Sequence, residues 1–186
     1  MPLVVKDRDG NFLLEVEGAN FLDEKDLRRA DFSGQQLEGI NLSDSDVREA
    51  DFTGADLYWA NAFRANCEGA IFRDAELNGA NLEKTNFRGA DLRGANVSLD
   101  NLLGSPHLQG ANLTGALLDG VVLIGCQYDD STVFPAGFVP AAHGMIWIDP
   151  ERIYIRPGSF ASATREPGYY IPDKANPGNY IPWKRS

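Results

Sequence analysis

Cysteine, histidine and methionine are scarce: two of each occur in 186 residues. Two cysteines cannot staple a small disulfide-rich fold. Two isolated histidines with no cysteine partner supply no zinc-ligand set. Apolar residues never run for the roughly 20 uninterrupted positions that a membrane-crossing helix needs. No basic stretch followed by an apolar one opens the chain, so the expected location is cytoplasmic, away from membranes. Phosphate loops, nucleotide fingerprints and nucleophile–base triads are missing, so no cofactor is expected and the chain does not read as an enzyme. Positive charge is short as well. Lys and Arg total 17 against 27 Asp and Glu, a net charge of -10, the reverse of the basic footprint that direct nucleic-acid binding requires.

The charge and the prolines divide the chain. Residues 19–133 carry 19 acids against 9 bases, whereas residues 134–186 carry 4 acids and 6 bases. Eight of the ten prolines lie after residue 134. That tail holds a duplication: Pro167-Gly168-Tyr169-Tyr170-Ile171-Pro172 returns as Pro177-Gly178-Asn179-Tyr180-Ile181-Pro182. Such proline density favours extended chain.

In the acidic stretch a five-residue period dominates. From Lys25 the sequence divides into sixteen consecutive units, among them ADFSG, ADFTG, ADLYW, ANLEK and ADLRG. The third residue of each unit is uncharged, and ten of the sixteen begin with Ala. One extra residue enters near Ser105-Pro106, after which the register resumes at Leu108, and a similar offset separates Phe21 from Leu27. A period of five fits neither a helix at 3.6 nor a strand at 2. It fits one short extended segment plus one turn, four of which close a square coil with third and first residues pointing inward.

This pattern resembles the pentapeptide-repeat family. The resemblance implies an all-β chain wound as a right-handed quadrilateral β-helix over residues 19–133. The expected boundaries are a β-hairpin cap at 1–18 and a C-terminal cap with a Pro/Tyr-rich extension at 134–186. Stacking every fourth unit predicts a core ladder of Phe32, Phe52, Phe72, Leu92 and Leu113. It predicts a second column of Leu42, Ala62, Leu82, Leu102 and Leu123, and a third of second-position amides, Asn41, Asn61, Asn81 and Asn101. The hairpin pairs Leu3–Lys6 with Asn11–Val16 through Asp7-Arg8-Asp9-Gly10. Residues 145–148 and 152–155 are expected to be short strands. Cys67 and Cys126, three coils apart, are expected to be buried and unpaired.

One unit breaks the polar exterior: Tyr58-Trp59 occupies outward fourth and fifth positions, and Leu99 recurs two coils later on the same side. With the tail aromatics Tyr169, Tyr170, Tyr180 and Trp183, these are the candidate protein-binding residues, since clustered exposed aromatics anchor interfaces. Either the tail covers the Tyr58-Trp59 patch or a partner protein does. The functional expectation is a non-enzymatic scaffold for an unidentified protein, monomer or homodimer. The alternative, which the family resemblance implies, is an acidic DNA mimic that binds type II topoisomerase (DNA gyrase).

Overall fold

In the computed structural model, residues 3–16, 22–149, 170–172 and 180–182 are described. Two compact units divide the chain, Met1–Trp147 and Ile148–Ser186.

The first unit is a stack of coils. Its second-position residues form parallel bridges at a spacing of 20, such as Asp31 with Asp51 and Asn41 with Asn61. The hydrogen bonds explain the period. The third-position Phe32 N–H donates to Asp51 O in the next coil at 2.8 Å, and Asp51 N–H donates back to Ala30 O at 2.9 Å. A turn then closes within the unit, as Ala55 N–H donates to Phe52 O at 3.0 Å. The fifth residue of every unit from Glu24 to Gly94 has a positive φ, between 55° and 72°, as a type II turn requires at its third position. Glycine takes that conformation without strain. Glu24, Arg29, Asp44, Glu49, Trp59, Arg64, Asp74 and Lys84 adopt it too, at a cost of about 1–2 kcal/mol each. Four turns per coil leave no room for longer strands.

Four columns of third-position side chains fill the interior. The first side holds Leu22, Leu42, Ala62, Leu82, Leu108 and Tyr128; the second, Leu27, Val47, Cys67, Phe87 and Leu113. The third holds Phe32, Phe52, Phe72, Leu92 and Leu118, and the fourth Leu37, Leu57, Leu77, Val97 and Leu123. The phenylalanines stack face to face, with centroids 4.9 Å apart for Phe32–Phe52 and 4.7 Å for Phe52–Phe72. First-position alanines are buried beside them, as are the larger first-position residues Ile40 and Cys126. Thr85 is accommodated there because its hydroxyl donates to Ala62 O at 2.7 Å beside a small third-position residue.

The stack departs from the expected columns after Val97. Asn61 pairs with Asn81 at the regular spacing of 20, but Asn81 pairs with His107, a coil of 26 residues. Six residues are inserted, not one. Leu113 consequently lies beneath Phe87 instead of Leu92, and Leu118 takes the place under Leu92. Leu102 is not a core residue, and 74% of its surface is exposed. Asn101 likewise leaves the amide column, which is Asn41, Asn61 and Asn81, linked by side-chain bonds of 3.1 and 3.2 Å. Six residues leave the five-residue phase where one residue would, so the period alone could not separate the two. At the start of the coil, Leu22 is the buried third-position residue, and its N–H donates to Asn41 O. The register is therefore unbroken back to Leu22; Phe21 lies outside the described residues.

The N-terminal hairpin has the expected form. Strand β1 (Leu3–Lys6) pairs antiparallel with β2 (Phe12–Val16), and Gly10 turns at φ 83°. Asp31 N–H donates to Lys6 O and Arg8 N–H to Arg29 O, so the hairpin satisfies backbone groups that the first coil would expose. At the other end β3 (Gln127–Tyr128) pairs in parallel with β4 (Ile146–Trp147), after a short 3-10 helix at Pro140–His143. Tyr128, Phe134, Phe138 and His143 form a chain of ring contacts between 4.4 and 5.5 Å. In the second unit β5 (Tyr170–Pro172) pairs antiparallel with β6 (Tyr180–Pro182), so the duplicated motif forms a two-stranded ribbon. The strand expected at 152–155 lies outside the described residues.

Candidate functional site

The inserted residues 99–104 form a loop that leaves the coil at the corner after the fourth side. Asp100 causes it. It is the only carboxylate at a first position between residues 22 and 133, and the uncharged interior offers a carboxylate no partner. The chain instead turns around the Asp100 side chain. Its Oδ1 accepts the N–H groups of Leu102 at 2.8 Å and Gly104 at 2.6 Å, and Leu103 N–H donates to Asp100 O at 3.1 Å. Its Oδ2 accepts the Trp59 indole N–H at 2.6 Å. The indole bond, followed by those two amides, holds the Asp100 carboxyl below the usual range.

Tyr58 completes the anchorage. Its hydroxyl donates to Asn101 Oδ1 at 2.8 Å and accepts Asn101 N–H at 2.9 Å. The two outward aromatics, which sit in a tilted pair with centroids 4.9 Å apart, are thus a cradle for the loop. Trp59 remains 43% exposed and lies over Gly79, where an added Cβ would meet its Cδ1 at 2.6 Å. Leu99 lies over Gly125 in the same manner. What the cradle displays is an apolar tip: Leu102 and Leu103 are 74% and 78% exposed, and Leu103 is held at φ 64°.

The structure therefore brings Tyr58, Trp59 and Leu99 together with Asp100, Asn101, Leu102 and Leu103. From the sequence Leu103 lies on a face adjacent to the aromatic pair; Asp100, Asn101 and Leu102 are not assigned to the site there, although an Asp in a first position just ahead of Gly104-Ser105-Pro106 is a readable signal. Tyr170 and Tyr180 fall in β5 and β6; Tyr169 and Trp183 lie outside the described residues. Among the described residues, the segment lying against Tyr58 and Trp59 is this loop.

Beside the loop the fourth side carries an open groove of about 570 Å³. Gln36, Asp56 and Glu76, which pair in successive coils, line it together with Tyr58, Asn78, Leu99 and Asn101. All nine Lys and Arg of residues 22–133 fall on the other three sides. Arginines among them pair with carboxylates: Arg28 with Asp26 at 2.6 Å, Arg48 with Asp46 at 2.7 Å and Arg64 with Asp44 at 2.7 Å. Asp91, 8% exposed, is held by both Arg93 and Arg73. The bonds from Arg93 foremost, with Arg73, keep its carboxyl well below the usual range. Burial pushes the Cys67 and Cys126 thiols well up. Among the described residues no helix is long and apolar enough to cross a membrane.

The family model for Pentapeptide repeats matches residues 26–61 and 63–98, with 8 copies. Among solved structures, a pentapeptide repeat protein of the Arabidopsis thaliana thylakoid lumen is 34% identical. That match covers 53% of this chain and 68% of that one, with a TM-score of 0.43. A pentapeptide repeat protein from Nostoc PCC 7120 is 30% identical over 61% of this chain and 85% of that one, with a TM-score of 0.36. The plasmid-mediated fluoroquinolone resistance protein QnrB1 is 21% identical over 64% of this chain and 56% of that one, with a TM-score of 0.29. No curated protein matches the chain.

Proposed function

Because this chain belongs to the pentapeptide-repeat family, we propose that it is a non-enzymatic scaffold whose coil, right-handed as in that family, presents the 99–104 loop to a partner protein. One observation carries the reading. Two adjacent leucines stand about three-quarters exposed on a loop that hydrogen bonds from Trp59 and Tyr58 anchor to the coil. A fixed apolar tip enters an interface with little ordering entropy left to lose, and exposed apolar surface of this kind marks interaction sites. The tail ribbon at Tyr170 and Tyr180, with Tyr169 and Trp183, is a second contact in this proposal. The location is cytoplasmic, which the two free thiols suit.

Deleting residues 99–104 tests it, because the cut joins Ser98 to Ser105 and restores a coil of 20. The shortened protein should keep its circular dichroism spectrum but, added unlabelled, should fail to compete for the proteins that the full-length chain captures through a photo-crosslinker at position 102. Undiminished capture from a crosslinker placed at Trp59 in the deletion protein would reject the loop as the contact. The second reading, a DNA mimic acting on gyrase, draws on the 19 acids against 9 bases of residues 19–133. The pairing of acids with arginines on three sides weighs against it, since a duplex presents phosphate charge all round. Inhibition of gyrase supercoiling by micromolar protein would favour the mimic over the scaffold.

A further inference from the structure

The charge of the coil is sorted by side, and the sorting coincides with the groove. The fourth side carries Glu38, Asp56 and Glu76 with no Lys or Arg, and among the described residues none of these three makes an ion pair. Asp56 accepts only the backbone N–H of Tyr58, at 3.1 Å, and Glu76 accepts an amide from Asn96 at 2.9 Å. Asp56 and Glu76 pair in neighbouring coils, so their backbones are about one strand spacing, ~4.8 Å, apart, and the second oxygen of each carboxylate has no partner among the described residues. That arrangement suits a planar guanidinium, which can offer N–H groups to two carboxylates at once. Tyr58 stands at the groove wall, where its ring face can take a cation. The loop contributes Leu99 and Asn101 to the same groove, and the exposed Leu102 and Leu103 follow directly in the chain.

Resting on the scaffold reading, we propose that the fourth side recognises an extended partner segment that carries an arginine two residues from a large apolar one, so that both side chains share a face. The guanidinium enters the groove between Asp56 and Glu76 against Tyr58. The apolar residue lies on Leu102 and Leu103, and the amides of Gln36, Asn78 and Asn101 take the backbone of the segment. The charge pattern excludes an acidic segment, which would meet three unpaired carboxylates. It disfavours lysine, whose compact ammonium cannot bridge two acceptors in one plane.

The probe is a fluorescein-labelled peptide, Ala-Leu-Ala-Arg-Ala-Leu, with a counterpart in which citrulline replaces arginine and removes the charge at constant shape. Fluorescence anisotropy at low salt should show the arginine peptide binding about tenfold more tightly than the citrulline peptide. Asp56→Asn with Glu76→Gln should abolish that preference, whereas Asp74→Asn on the third side should leave it intact. Equal binding of the two peptides, or a preference that survives the double substitution, overturns the groove assignment. Leu102→Ser with Leu103→Ser reads the scaffold proposal separately: it should weaken both peptides alike and leave their ratio unchanged. Loss of the ratio with retained loop dependence therefore sinks the groove alone.

Discussion

Two glycines of identical backbone role differ only in what lies above them, and alanine at each measures the loop anchorage. Gly54 has φ 63° with nothing within 4 Å of an added Cβ. Gly79 has φ 67°, but its Cβ would meet Trp59 Cδ1 at 2.6 Å, Trp59 Nε1 at 2.9 Å and Asp100 Oδ2 at 3.0 Å. At Gly54 the left-handed conformation costs alanine about 1–2 kcal/mol, offset by about 0.4–1 kcal/mol from a less flexible unfolded chain. The net loss is therefore about 0.5–1 kcal/mol. At Gly79 the same loss applies, and the indole must also leave its seat, which adds about 1–3 kcal/mol as for other overpacked sites. Urea unfolding followed by circular dichroism should separate the two variants by that increment, or roughly 2–4 °C in midpoint temperature per kcal/mol. In a background with Trp147 and Trp183 replaced by Phe, Trp59 becomes the sole emitter. Its fluorescence should shift to the red in Gly79→Ala and stay put in Gly54→Ala. Equal destabilisation with unchanged emission from both would refute the idea that Trp59 and Asp100 clamp the loop across Gly79.

Other predictions are simpler. Asp91→Asn should cost about 1.5–3 kcal/mol, the range for hydrogen bonds to a charged group, and Arg73→Ala and Arg93→Ala should be less than additive in a double-mutant cycle. Because the Asp91 carboxyl is held below its usual value in the folded chain, its stabilisation is complete at neutral pH. It should fade as pH falls below about 4, and the Asn variant should show a shallower loss of stability in acid titrations. The two thiols, buried and pushed upward, should resist Ellman's reagent in the native protein and react fully once it is unfolded in guanidinium.

Much of the fold was legible because the five-residue period writes each residue's environment directly into the sequence. Phe32, Phe52 and Phe72 fall twenty apart and stack as a consequence. The Gly10 turn and its two flanking runs announced the hairpin. What the period could not show was the size of the interruption. DNLLG satisfies the pattern at Leu102 while Asp100 violates the chemistry of the interior, and the chemistry prevails. Once Leu102 is assigned inward, Leu113 is placed under the wrong neighbour. The aromatic pair Tyr58-Trp59 was visible as an oddity, but its role was not. The loop it holds is more than 40 residues away in sequence, and no pattern local to either segment joins them.

The loop departs from the coil that begins at Leu82 and comes to rest on residues 58, 59 and 79, in the two coils before it. In a solenoid each coil ordinarily touches only the next, and fraying from an open end peels the stack one layer at a time. A strap that leaves the fourth layer and is tied back to the second couples those layers into a single opening unit. Amide protons of residues 57–97 should therefore exchange as one block, slower than the coils that follow. The partner-facing tip would ride on the part of the molecule that is last to come undone.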